Sequence, residues 1–155
     1  MDRLFARGTV NAAEAGTGPP LFLFHSLLSD RTSFDAITPG LSQSFRVLVP
    51  ELPGFGQSPA VRGDFAAVAD RMAEMVTDGA GGNDAIVLGN GYGGFVALQM
   101  AIHHPGLATR LGLAGLRAPL SGPGPATLPH MPAPHEAHAR PAPRHAPRHL
   151  TRLPT

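Results

Sequence analysis

The 155-residue sequence contains no cysteine and no lysine, and it has no long apolar run. The absence of cysteine excludes a disulfide framework, thiolate catalysis and metal sites with cysteine ligands. No apolar stretch approaches the roughly 20 residues of a membrane helix, and residues 1–7 lack the continuous apolar segment of a secretory signal. The hydrophobic content of 43% is sufficient for a core, and the length suits one domain. We therefore expect a cytoplasmic protein without a membrane partner.

The composition changes at residue 117. Residues 1–117 carry 8 arginines and 10 acidic residues, whereas residues 118–155 carry 4 arginines and one acidic residue. All eight phenylalanines lie at or before residue 95, and ten of the 17 prolines lie in the last 38 residues. A segment so rich in proline and without aromatic residues cannot bury enough surface to offset its chain entropy. We predict a domain over residues 1–117 and a disordered tail over residues 118–155.

The tail also holds five histidines and four arginines, which raises the alternatives of metal capture and nucleic-acid binding. Prolines interrupt the histidine spacing, and a charge of +3 without lysine or aromatic side chains is weak for phosphate binding. We therefore predict neither a metal site nor a nucleic-acid partner. A mixture of proline, alanine, arginine and histidine is also typical of a GC-rich gene read out of frame, so a frameshift product is a further hypothesis for this segment.

Hydrophobic patterning in residues 1–117 alternates strands with helices. Strands are predicted at residues 21–24, 46–49, 84–88 and 111–114. Helices are predicted at residues 32–41, after an Asp64 cap from residue 65, and from residue 92 or 93 to 104. This order predicts an α/β protein, a three-layer αβα sandwich around a mostly parallel sheet. Its functional loops should follow the carboxyl ends of the strands.

Three loops at those carboxyl ends are distinctive. Residues 25–28 read HSLL, residues 50–58 read PELPGFGQS, and residues 89–94 read GNGYGG. In this order and spacing they resemble the α/β-hydrolase family, in its subgroup of small ester, lactone, epoxide, haloalkane and carbon–carbon bond hydrolases. The resemblance covers residues 8–114 and implies a partial α/β-hydrolase fold without a cofactor.

The resemblance implies that residues 89–93 form the family's nucleophile elbow, Gly-x-Ser-x-Gly, a strained turn that lifts a serine above the sheet. Gly91 stands at the serine position here. Glycine has no side chain, so residue 91 cannot form an acyl-enzyme. Glycine should also relieve the backbone strain of the turn.

The resemblance assigns further roles around that turn. The backbone N–H groups of Leu27 and Tyr92 would form an oxyanion hole. His25, Ser26 and Asn90 would line the substrate pocket, with His25 ordering its loop. Ser26 replaces the family's glycine and adds a Cβ where the backbone usually needs freedom.

The remaining catalytic residues of the family are missing from their expected places. The family's acid and histidine follow later strands, but the last acidic residue before the tail is Asp84, and only Glu136 follows it. A base must be held within hydrogen-bond reach of its proton donor. Glu51, where the family has an aspartate, is interpreted as a hydrogen-bonded turn residue.

Three functions follow from these observations. The first is a truncated, inactive member of a small ester, lactone or amide hydrolase family. The second is a member in which water attacks a substrate held in the oxyanion hole. The third is a non-catalytic protein that binds a small acyl-like molecule through the same N–H groups.

A fourth alternative comes from the spacing Gly89-x-Gly91-x-x-Gly94, which also matches a dinucleotide-binding fingerprint between strand and helix. That fingerprint requires an acidic residue about 20 residues later for the ribose, and residues 92–134 contain none. The motif also lies after two earlier strand–helix units rather than in the first. The dinucleotide alternative is therefore disfavoured.

Overall fold

The computed structural model describes residues 1–116, so the disorder and the frameshift proposed for residues 118–155 lie outside the described residues. Six strands make up one sheet in this part of the chain. They are β1 (Asp2–Phe5), β2 (Val10–Ala15), β3 (Pro20–Phe24), β4 (Arg46–Pro50), β5 (Ala85–Asn90) and β6 (Ala108–Ala114). Their order across the sheet is β1-β2-β4-β3-β5-β6.

The sheet is mixed, with a parallel centre. β3 pairs in parallel with β4 and β5, and β5 pairs in parallel with β6. β1 and β2 form an antiparallel hairpin that joins the sheet through an antiparallel pairing of β2 with β4. The four predicted strands are confirmed as β3 to β6, whereas the hairpin was not predicted.

Two long helices connect the parallel strands. α2 (Phe65–Ala80) begins at Asp64, whose carboxylate accepts from the Ala67 N–H at 3.2 Å, and it ends at Gly81 with a φ of +59°. α3 (Tyr92–His103) follows β5 directly. Both predicted helices are confirmed. Within residues 1–116, no helix combines the length and the apolar character that a bilayer crossing requires.

Residues 32–41, predicted to be helical with Pro39 shortening the segment or moving its end, are divided between two separate elements. A 3-10 turn at Arg31–Phe34 is followed by a separate helix of four residues, α1 (Thr38–Leu41). Asp30 caps the 3-10 turn by accepting from the Thr32 N–H at 2.8 Å. Proline lacks an N–H and clashes with the preceding turn of a helix, so Pro39 begins α1 instead of continuing an earlier helix.

The two faces of the sheet are covered unequally. α2 and α3 pack on one face, where the largest buried side chains include Phe22, Phe24 and Leu48. On the opposite face, a smaller cluster is covered by the 3-10 turn and α1. Its buried members are Leu21, Leu23, Phe34, Val47 and Val49. Since β3 is buried along its whole length, the loop that follows it is anchored at the centre of the sheet.

Candidate functional site

The turn between β5 and α3 is the candidate site predicted from the sequence. Gly91 occupies it with φ +54° and ψ −117°, a backbone conformation that residues with a side chain rarely adopt. The Gly91 N–H donates to the Ala114 carbonyl at 2.9 Å, and the Phe95 N–H donates to the Gly91 carbonyl at 3.1 Å. Asn90, the last residue of β5, is exposed beside it. We call residues 89–93 the β5–α3 turn.

Two glycines allow α3 to begin directly against the sheet. A Cβ on Gly89 would collide with the backbone of Gly93. A Cβ on Gly93 would collide with the carbonyl groups of Phe24 and His25. The Gly93 N–H also donates to the His25 carbonyl at 3.0 Å. The start of α3 is therefore fixed to the loop that follows β3.

The two N–H groups assigned to an oxyanion hole have no partner among the residues that the structure describes. Tyr92 is the first residue of α3, where a helix leaves its N–H groups without acceptors. Leu27 is a half-buried residue in the loop after β3. Within residues 1–116, neither N–H donates a hydrogen bond. Unpaired donors of this kind can bind a carbonyl oxygen or a carboxylate.

Ser26 lies against the β5–α3 turn. An ideal Cβ built on Gly91 would be 2.5 Å from Ser26 Oγ and 3.2 Å from Ser26 Cβ. The Ser26 N–H donates to Ser29 Oγ at 3.1 Å, and the Ser26 carbonyl accepts from Ser29 Oγ at 3.2 Å. In the described part of the chain, the Ser26 hydroxyl itself has no hydrogen-bond partner. This approach of Ser26 to Gly91 was not predicted from the sequence.

His25 connects two loops through both of its ring nitrogens. Its side chain is fully buried, with Nδ1 2.9 Å from the Ser26 carbonyl and Nε2 accepting from the Leu52 N–H at 3.1 Å. The Phe55 ring packs edge-on at 4.7 Å. Burial lowers the pKa of His25, which keeps the ring neutral. Because both nitrogens are engaged, His25 has no free nitrogen with which to act as a base.

Glu51 organises the loop that follows β4. Its carboxylate accepts from the Gln57 N–H at 2.7 Å and from Asn11 Nδ2 at 3.3 Å, and it lies 3.5 Å from Arg31 Nε. Ser58 Oγ, at the other end of the same loop, accepts from the Asn11 N–H at 3.0 Å. These contacts hold the loop against β2 and leave the Glu51 carboxylate engaged in structure.

The side chain of Tyr92 points into an aromatic cluster. It is 3% exposed, and its ring centroid lies 6.2 Å from Phe55 and 5.8 Å from Phe65. Among the described residues, its hydroxyl has no hydrogen-bond partner. Burial raises the pKa of Tyr92 to about 12, so the phenol is neutral. No sequence pattern predicts this unpaired hydroxyl.

The acid–base residues that follow the β5–α3 turn in residues 1–116 are limited to two histidines. Residues 92–116 contain no acidic residue. His103 and His104 lie at the far end of α3, which is about 18 Å long. Both face Asp70, with His104 Nε2 at 2.8 Å from its carboxylate. Within residues 1–116, no group of three or more His, Asp or Glu side chains is placed to hold a metal ion.

Comparison with known proteins identifies the family of this architecture. The family model described as alpha/beta hydrolase fold matches residues 19–142 and extends past the predicted domain boundary at residue 117. Among solved structures, a thermophilic esterase from Thermogutta terrifontis superposes with a TM-score of 0.63 at 30% identity, over 73% of this chain and 44% of that chain. The predicted fold class is confirmed.

Curated relatives are similar in sequence over the same region. A pimeloyl-[acyl-carrier protein] methyl ester esterase of Aromatoleum aromaticum is 37% identical over 97 residues, covering 63% of this chain and 37% of the relative. The magnesium-chelatase 30 kDa subunit of Rhodobacter capsulatus is 35% identical over 124 residues, covering 72% of this chain and 43% of the relative. The chain spans less than half the length of either relative.

Proposed function

The chain belongs to the α/β-hydrolase family, and from that premise we propose that it binds a small ester or related acyl compound at the β5–α3 turn without forming an acyl-enzyme at residue 91. The observation that carries the proposal is Gly91, which holds the backbone conformation φ +54°, ψ −117° at the start of α3 with no side chain. The turn keeps the shape of a nucleophile elbow and lacks the attacking atom.

Two unpaired donors support binding at this place. The N–H groups of Leu27 and Tyr92 have no acceptor within residues 1–116, and their residues flank the contact between Ser26 and Gly91. The positive end of the α3 dipole adds to the attraction for a partly negative oxygen. A carbonyl oxygen placed within hydrogen-bond reach of both N–H groups would satisfy them without any chemical step.

The names of the relatives support an ester as the ligand class. The relative from Aromatoleum aromaticum is a methyl ester esterase, and the structural neighbour from Thermogutta terrifontis is an esterase. We therefore propose a carboxylic ester, lactone or amide, and no nucleotide cofactor. The dinucleotide alternative has no support from these relatives.

Hydrolysis by water held at residue 91 is the second candidate, and the structure weighs against it. The attacking water would need the space of the missing serine side chain, and Ser26 Oγ lies 2.5 Å from where that side chain would begin. The water would also need a base, and both ring nitrogens of His25 are engaged. Binding without turnover is the function that the geometry supports best.

Reaction of the full-length chain with p-nitrophenyl acetate tests the absence of an acyl-enzyme. We expect no burst of p-nitrophenol and a steady rate equal to that of the urea-unfolded chain, which reports the background reactivity of exposed side chains. A burst that scales with protein concentration, with the acetyl group located on any residue of the turn, would overturn the proposal.

Titration with methyl butyrate tests the binding half of the same proposal. Amide signals of Leu27 and Tyr92 should shift in NMR spectra, because their N–H groups are free to donate. The Gly93 signal is the internal control and should shift less, since its N–H already donates to the His25 carbonyl at 3.0 Å. Unchanged Leu27 and Tyr92 signals would contradict binding at the turn.

A further inference from the structure

The side chain of Ser26 reaches the position where a side chain of residue 91 would begin. A Cβ on Gly91 would be 2.5 Å from Ser26 Oγ and 3.2 Å from Ser26 Cβ. Ordinary contacts between such atoms are about 3.5–4.0 Å. The space that a nucleophilic serine would need is therefore already occupied by the hydroxymethyl group of another residue.

Rotation of Ser26 relieves only part of this contact. A turn about its Cα–Cβ bond moves Oγ but leaves Cβ at 3.2 Å from the ideal Cβ of residue 91. Withdrawal of the whole loop is opposed by its hydrogen bonds. The Ser26 N–H donates to Ser29 Oγ at 3.1 Å, and the Gly93 N–H donates to the His25 carbonyl at 3.0 Å. The loop after β3 is thus held against the β5–α3 turn.

The two departures from the family pattern are complementary. Residue 26 carries a hydroxymethyl group and residue 91 carries no side chain, whereas the resemblance to the family implies a glycine at the first position and a serine at the second. The structure places these two positions in contact, although they lie on loops that are far apart in the sequence. A change at one position therefore alters the space available at the other.

We propose that Ser26 and Gly91 form an exchanged pair, in which the Ser26 side chain excludes a nucleophilic side chain from residue 91. Ser26 is a positioning residue and does not act as the nucleophile, because neither ring nitrogen of His25 is free to take its proton. Replacing Gly91 by serine alone should then fail to restore a properly placed hydroxyl. The proposal does not depend on ligand binding at the turn.

Thermal denaturation of four full-length chains measures the contact. They are the unaltered chain, Ser26→Gly, Gly91→Ser and the double variant. The Tm loss caused by Gly91→Ser should be smaller in the Ser26→Gly background by about 4 °C or more. The backbone strain of a serine at φ +54° is present in both backgrounds and cancels from this difference.

Ser33→Gly is the matched control for the added glycine. Ser33 lies in the exposed 3-10 turn, where its hydroxyl donates to the Asp30 carbonyl at 2.8 Å. The Tm loss caused by Gly91→Ser should be the same with and without Ser33→Gly, so the effects of the two substitutions should add. If neither chain with Gly91→Ser folds, Gly91→Ala in the same two backgrounds gives the comparison with a smaller side chain. Equal Tm losses in both backgrounds would overturn the proposal.

Labelling by a fluorophosphonate probe at alkaline pH measures how accessible a serine hydroxyl is, which a change in stability alone does not alter. Labelling forms a bond between serine oxygen and phosphorus, breaks the phosphorus–fluorine bond, and releases fluoride to solvent together with the hydroxyl proton. Mass spectrometry should find label on residue 91 of the double variant at about 10 times the level of Gly91→Ser alone. Equal labelling of the two variants, or labelling of Ser26 in the unaltered chain, would contradict the assignment.

Discussion

The loop after β4 and the β5–α3 turn lie at the same edge of the sheet and differ in how their polar groups are paired. In the first, Glu51 has three partners and Ser58 accepts a backbone hydrogen bond. At the second, the Tyr92 N–H and, in the adjoining loop after β3, the Leu27 N–H and the Ser26 hydroxyl have no partner within residues 1–116. A buried polar group without a partner costs about 1–3 kcal/mol. The paired loop is thus a structural support, and the unpaired groups agree with the ligand site that we propose at the turn.

Glu51→Ala removes the carboxylate that holds the loop after β4 and should lower the free energy of unfolding more than the other substitutions below. It leaves the Gln57 N–H and the Asn11 amide without an acceptor and removes one of the two carboxylates beside Arg31, which keeps its ion pair with Asp2. We expect the free energy of unfolding to fall by about 3 kcal/mol, measured by urea denaturation. Asp84→Ala is the control, because this carboxylate is exposed and should change stability by less than about 0.5 kcal/mol. Equal losses in the two variants would show that the Glu51 contacts do not support the loop.

The pH dependence of stability tests the link that His25 makes between the loop after β3 and the loop after β4. Burial lowers the pKa of His25, so the unfolded chain binds more protons at this residue than the folded chain does. Stability from neutral His25 is therefore complete above about pH 6.5 and is lost as the pH falls through the lower folded pKa. Protonation would also leave the Leu52 N–H without its acceptor, Nε2. The urea concentration at the unfolding midpoint should accordingly decrease as the pH is lowered from about 7.5 to about 5.5.

Two variants separate His25 from the other titrating groups. His25→Gln should flatten this decrease in the urea midpoint, because the buried titrating group is gone. His103→Gln should preserve it, because His103 is far more exposed than His25 and lies at the distant end of α3. A decrease of the same size in all three chains would assign the pH dependence to groups other than His25.

These loops also show how much of the molecule the sequence could predict. The β5–α3 turn was found because its glycines lie close together in the chain, and the close approach of Gly89 to Gly93 is a local contact. The hairpin was missed for a physical reason. Val10–Ala15 has three alanines, which have little strand propensity, and the turn before it places Ala6 and Arg7 at positive φ ahead of its single glycine, Gly8.

The contents of the site were harder to predict than its position. Ser26 was expected to line the substrate pocket, but its contact with the position of a residue 91 side chain was not predicted; it arises because β3 and β5 are neighbours in the sheet. The unpaired hydroxyl of Tyr92 depends likewise on the packing of Phe55 and Phe65 from two other segments. Contacts between distant segments have no local pattern, so hydrogen-bond pairing at the site could not be inferred from the sequence.

Tyr92→Phe gives the smallest expected effect and the sharpest contrast between the two regions. The hydroxyl is buried without a partner among the described residues, so its removal gives up no hydrogen bond and ends a desolvation cost. We expect the free energy of unfolding to stay level or rise by up to about 1 kcal/mol. Ser58→Ala removes a hydroxyl of the paired loop that accepts from the Asn11 N–H, and it should lower that free energy by about 1–2 kcal/mol. If Tyr92→Phe were the more destabilising of the two, the Tyr92 phenol would have a partner, and the two regions would not differ in pairing.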